Sequence, residues 1–100
     1  MILWHHYLTL LGSKTTLDRF DQNGAWEKTL GARHVEWLEL SAKRRRCEFK
    51  TRGRVLLELQ KLSRVWPRVV FLLDYEGEPE RIKGLIKAQA GELESCEIRY

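Results

Sequence analysis

Between Lys43 and Arg54 the chain reads KRRRCEFKTRGR, which gathers seven of its eighteen basic residues against one acid, Glu48. Cationic side chains at this density can neutralise phosphates or carboxylates, and arginine can grip them with two parallel hydrogen bonds. The chemistry on offer is binding of a polyanion, nucleic acid included. A run of arginines also serves simply to keep a turn in water. Position separates the two uses. Lys43 to Arg46 would sit in a turn between two strands and project into solvent, which suits the second. Arg52 and Arg54 flank Gly53 at a helix start, where each positive charge opposes the helix dipole by ~0.3–1 kcal/mol. A bound anion would offset that placement, because Gly53 leaves backbone N–H groups open to approach. The candidate anion or nucleic-acid site is therefore Arg44, Arg45, Arg46, Lys50, Arg52, Gly53 and Arg54, with the pair around Gly53 its sharper part.

The charge distribution supports looking here. Residues 1–42 carry four bases and five acids, residues 43–68 ten and two, and residues 69–100 four and seven, within a net charge of +4. A basic middle third inside a nearly neutral chain points to an anionic partner.

Other chemistries find less support. His5 and His6 are adjacent, so regular strand structure sends them to opposite faces and they cannot chelate one ion together. Asp74, Glu76, Glu78 and Glu80 alternate in an acidic turn without the ligand pattern of a calcium loop. No nucleophile elbow, phosphate loop or dinucleotide fingerprint is present, so no catalysis, metal or cofactor is expected. Cys47 and Cys96 fit no paired motif and suit reduced thiols. The longest apolar run, residues 69–73, falls far short of the roughly 20 residues that span a bilayer. With no basic leader or cleavage pattern in MILWHHYLTLLG, a cytoplasmic setting is expected.

The elements that must position these residues follow from pattern. YLTLLGS reads as a strand ended by Gly12, with Ser13 placed to cap a helix that puts Leu17 and Phe20 on one face. QNG breaks that helix, and AWEKTLG offers another turn before Gly31. Residues 33–42 read as a strand. In CEFKT, Cys47, Phe49 and Thr51 face one way, and Arg46, Glu48, Lys50 and Arg52 the other. RVLLELQKLSRVWP is the best helix, with Val55, Leu56, Leu59, Leu62 and Trp66 as its apolar stripe and Pro67 as its stop. RVVFLLDY is a strand apolar on both faces. Residues 81–90 allow helix or strand, whereas Ala90-Gly91 suits a turn before a final strand. Trp37 and Trp66 suit the core, and Trp4 and Trp26 suit equally exposed interface anchors or half-buried packing.

The order is strand, helix, strand, strand, helix, strand and a C-terminal hairpin, in one domain. That is a ferredoxin-like α+β plan, an antiparallel sheet with helices on one face. Ferredoxin-like sheets can stack bases on aromatic rings, but Phe49 shares its face with Cys47, and Tyr7 alone makes a poor platform. Nucleic acid would be held through phosphates. The doubly apolar strand 69–73 would also need cover at its edge or second face, from the hairpin or from a second subunit, which makes self-association or protein contact the alternative function.

HYLTLLGS through LDRF, and CEFKT through LSRVWPRVVFLLDYEGE with the later K-x-x-AGEL, resemble the YubB-type ferredoxin-like family of bacterial plasmid- and phage-associated proteins. The resemblance implies the fold and that setting, and no catalytic residues. The aromatic-and-proline segment that follows the threonine in that family is replaced here by Arg52-Gly53-Arg54.

Overall fold

Strand alternation organises the molecule. In the computed structural model, which describes residues 3–100, six strands form one open sheet: β1 (Trp4–Leu11), β2 (Arg33–Leu40), β3 (Arg44–Thr51), β4 (Val70–Gly77), β5 (Ile82–Gln89) and β6 (Glu92–Arg99). Every neighbouring pair is antiparallel, in the order β2-β3-β1-β4-β5-β6. Three helices, α1 (Lys14–Asn23), α2 (Ala25–Leu30) and α3 (Leu56–Val65), complete an α+β architecture. No helix among the described residues is long and apolar enough to cross a membrane. Met1 and Ile2, part of the stretch read for a leader, lie outside the described residues.

Local signals set the helix ends. The Ser13 hydroxyl accepts from the Thr16 N–H at 3.2 Å and caps α1, as its position predicts. Gly24, with φ 66°, takes the left-handed conformation that ends α1, and α2 begins at the next residue. Alternate strand residues then bury one face under the helices. Leu8, Leu10, Phe49, Phe71, Leu73 and Ile86 join Leu17, Phe20, Trp26, Leu59 and Leu62 in one core cluster.

The C-terminal segment is a hairpin, so within residues 81–90 the chain forms strand β5, entered from a 3₁₀ turn at Glu78–Glu80, rather than helix. Ala90 and Gly91 both have positive φ, which matches the right-handed twist of the strands they join. α3 holds this turn directly. Gln60 Nε2 donates to the Gly91 carbonyl at 2.8 Å, and the Gly91 N–H donates to Ser63 Oγ at 2.9 Å. β5 takes the outer edge of β4, so both edges of the apolar strand lie inside ladders, and Val70, partly exposed, and Leu72, 36% exposed, open its uncovered face.

Two expectations need correction. The turn expected at Lys43 to Arg46 is shorter: the Ser41 N–H bonds the Arg44 carbonyl, and Arg44 to Arg46 already belong to β3. Trp4 and Trp26 are buried rather than exposed. Trp26 packs between Phe20, Trp37 and Phe49, with ring centroids about 6 Å apart. Trp4 lies over Gly77.

Gly84 has a similar role beneath Tyr75: a β-carbon there would meet the ring at 2.1 Å. Gly84→Ala should therefore destabilise by about 1–3 kcal/mol, the range for overpacking. Urea denaturation checks this, and an unchanged midpoint would contradict it.

Candidate polyanion interface

The pleat of β3 divides the basic run. Arg44, Arg46 and Lys50 face the open side of the sheet, where Arg44 is tied to Glu39 at 2.8 Å. Arg45 points to the helix side and is only 7% exposed. Its Nη2 meets Asp18 of α1 at 2.5 Å, and its Nε donates to the Ser41 carbonyl. Hydrogen bonds from Lys14 and then Arg45 hold the Asp18 carboxyl below the usual range. Arg45 thus fastens α1 to the sheet and has no anion-facing atoms to spare.

On the open face the Arg46 guanidinium sits 5.2 Å from the Tyr7 ring centroid. His5 stacks on the same ring at 4.8 Å and meets Glu48 at 3.2 Å. Tyr7 is thus already engaged by a ring and a cation. Phe49 is buried, as its strand parity predicts, and stacks on His6 at 5.1 Å.

The second basic cluster lies where β3 leaves the sheet. Thr51 donates its hydroxyl to the Gly53 carbonyl at 2.7 Å, so His6 Nε2 must donate to Thr51 Oγ1, 2.6 Å away. His6 is fully buried and its Nδ1 has no partner. Burial keeps it neutral and pulls its pKa from 6.5 down to about 4. The loop carrying Arg52 and Gly53 is therefore pinned to the core through an uncharged imidazole.

Beyond the loop, α3 begins at Val55 without a side-chain cap, which leaves first-turn N–H groups without side-chain partners. This end borders a hollow of about 510 Å³. Lys28, Thr29, Leu30 and Gly31 of the α2 end, Arg33 of β2, Thr51 to Val55 and Glu58 line it. Arg33 stands directly opposite Lys50 in the β2–β3 ladder, a like-charge pair that an anion would relieve. Lys28, Arg33, Lys50 and Arg52 have no carboxylate partner among the described residues.

Arg54 borders the same hollow but is committed elsewhere. It forks onto Glu97 at 2.6 and 3.1 Å and lies 4.9 Å from the Trp4 ring centroid. Tyr75 donates to the same carboxylate at 2.7 Å. Arg54 first and Tyr75 second hold Glu97 below the usual range. Desolvation first and the Glu97 carboxylate second push Tyr75 up to about 12.

Of the seven expected residues, Arg52 and Gly53 line the hollow, Arg44, Arg46 and Lys50 lie along the open face with Lys50 opposite Arg33, and Arg45 and Arg54 serve ion pairs within the chain. Lys28 and Arg33 were not anticipated, since only the β2–β3 register and the α2 end bring them here. Comparison of the chain with protein-family models, with curated proteins and with solved structures gave no match.

Two tests follow from this geometry. The unfolded chain binds a proton to His6 near pH 6.5 and the folded chain only near 4, so stability is full above 6.5 and falls as pH drops between those values. The loss should reach about 2 kcal/mol by about pH 5, where the contribution of the paired carboxylates Asp18 and Glu97 only begins to fall. Urea unfolding across this window checks it: His6→Leu should flatten the slope, and a flat wild-type curve would contradict the assignment. Asp18→Asn should lower the urea midpoint, because it leaves the buried Arg45 guanidinium without its counter-ion. A loss within error of zero would show the pair to be dispensable.

Proposed function

We propose that this chain is a small binding domain for a polyanion, with nucleic acid the class that fits best, and not an enzyme. The observation that carries it is the convergence of Lys28, Arg33 and Arg52 around the uncapped start of α3, with Lys50 opposite Arg33. The four cations come from two stretches, residues 28–33 and 50–52, that the β2–β3 pairing brings together, and fixing like charges together opposes folding unless an anion is bound. N–H groups at the helix start add directed donors for phosphate oxygens. Arg46 on the open face extends the track along β3, whereas Arg44 is tied to Glu39. With Tyr7 already flanked, the contacts are to phosphate, and sequence preference is weak.

The order β2-β3-β1-β4 supports reading the first four strands as a split-βαβ unit of ferredoxin-like type, with β5 and β6 added beyond β4. That reading accords with the resemblance to the YubB-type family and its bacterial plasmid or phage setting, and with a cytoplasmic location. A second function, contact with protein, is favoured by one observation. Leu72, Leu85, Ile98 and Tyr100 are exposed in the β4–β6 half of the sheet, away from the basic end.

The salt dependence of binding to an unspecific DNA duplex tests the proposal. Four phosphate-contacting cations predict a slope of log affinity against log salt of about −3 to −4. Replacing Arg33, Lys50 or Arg52 with alanine should each lower the slope by about 1. Absence of salt-sensitive binding to DNA and RNA, or a triple variant that binds like wild type, would sink it.

A further inference from the structure

We propose that two copies of this chain pair edge to edge through β6, joining their sheets into one across a two-fold axis at Cys96. The two edges of the sheet differ in how they are guarded. β2 is interrupted by two register shifts in its pairing with β3, and His34 adopts a positive φ of 56°, devices that spoil an edge for pairing. β6 pairs with β5 in unbroken register from Glu92 to Arg99, with neither bulge nor proline. Its far side carries a full row of backbone donors and acceptors with no covering element.

The hairpin turn fixes which groups point outward. In a two-residue hairpin the residues flanking the turn, Gln89 and Glu92, exchange hydrogen bonds, so Glu92, Glu94, Cys96 and Ile98 bond inward to β5. Leu93, Ser95, Glu97 and Arg99 therefore direct their N–H and C=O groups to the free edge. An antiparallel pair of identical strands keeps the same face on the same side and opposes odd residues to odd residues.

Charge then selects the register. Centring the pair on Glu94 or Glu97 sets a carboxylate against its own copy, and centring it on Leu93 sets Glu92 against Glu94. Centring on Cys96 opposes Ser95 to Glu97, Leu93 to Arg99 and Glu94 to Ile98 of the second copy, with no like charges facing. Centring on Ser95 or on Ile98 also avoids like charges, but the first sets Glu94 against Cys96 and the second overlaps only residues 96–100 of the two strands. The Cys96 register further joins apolar side chains. Leu85 is the cross-strand neighbour of Cys96 on the open face and is 59% exposed, as is Ile98 at 58%. Across the axis the two Leu85–Cys96 rows meet end to end, with each Ile98 diagonal to the other copy's Cys96. This pairing flanks Leu85 and Ile98 on the edge side of the open face, and it is independent of the polyanion proposal.

Light scattering over a concentration series up to about 0.1 mM, where a Kd near 10 μM (about −7 kcal/mol) registers fully, reads the association. Wild type should become dimeric. Ser95→Pro removes an N–H that points outward, so it should leave the β5 ladder and the circular dichroism intact and abolish the dimer. Cys96→Lys, at an exposed position, should abolish it by setting two cations on the axis. Cys96 pairs would face each other at about 4.5 Å between α-carbons, within disulfide reach. Diamide, which accepts two electrons and two protons per bridge, should cross-link dilute wild type through Cys96 and leave Ser95→Pro monomeric. A monomeric wild type, or a dimer that persists in both variants, would overturn the proposal. If Ser95→Pro unfolds, Cys96→Lys alone decides. A dimer lost in Ser95→Pro but never captured by Cys96 would overturn this register.

Discussion

Helices cover one face of the sheet and leave the other to solvent, so the pleat of each strand sends alternate side chains into the core or into water. Everything else in the molecule answers to that division. It sends Cys47, Phe49 and Thr51 inward beneath the helices and keeps Arg46, Glu48 and Lys50 outside. It also separates the adjacent histidines, so that His6 becomes a neutral core residue holding Thr51 while His5 stacks on Tyr7. The basic run is consequently no patch. Arg45 is a buried clamp, Arg44, Arg46 and Lys50 lie along the open face, Lys43 stays in the turn before β3, and Arg52 and Arg54 follow where β3 gives way to the loop.

The C-terminal hairpin is bound into the same scheme at both ends. At its turn, Gln60 and Ser63 satisfy both backbone groups of Gly91. At its other end, Glu97 collects Arg54 and Tyr75, and Tyr75 in turn needs the empty space over Gly84. β5 and β6 therefore cover the edge of β4 and draw Arg54 away from the hollow that its neighbour Arg52 borders. Structural ion pairs and free cations alternate along one short stretch, and only the free ones remain for a ligand.

The parts legible in the sequence were those decided by near neighbours. Ser13 as a cap, Gly24 and Gly31 as breaks, the apolar stripe of α3 and the Ala90-Gly91 turn all act within a few residues. Strand parity predicted which way Phe49 and Lys50 point. What local pattern could not show was who waits across the sheet. Arg45 meets Asp18 from 27 positions away, and Arg54 meets Glu97 from 43. Trp26 is buried because two strands and α1 converge on it, although its own segment is short and irregular. Lys28 and Arg33 reach the hollow only through the sheet register, and no spacing rule links them to Arg52.

The central claim is that the free cations at the β3–α3 junction, and not the arginine run that precedes them, meet a polyanion. Mapping amide chemical shifts during titration with a short DNA duplex at low salt tests it most directly. Perturbations should concentrate at Arg52 to Glu58, with Lys28 and Arg33 following, and fade as salt is raised. Shifts centred on Lys43 to Arg45, or none at any duplex concentration, would contradict it.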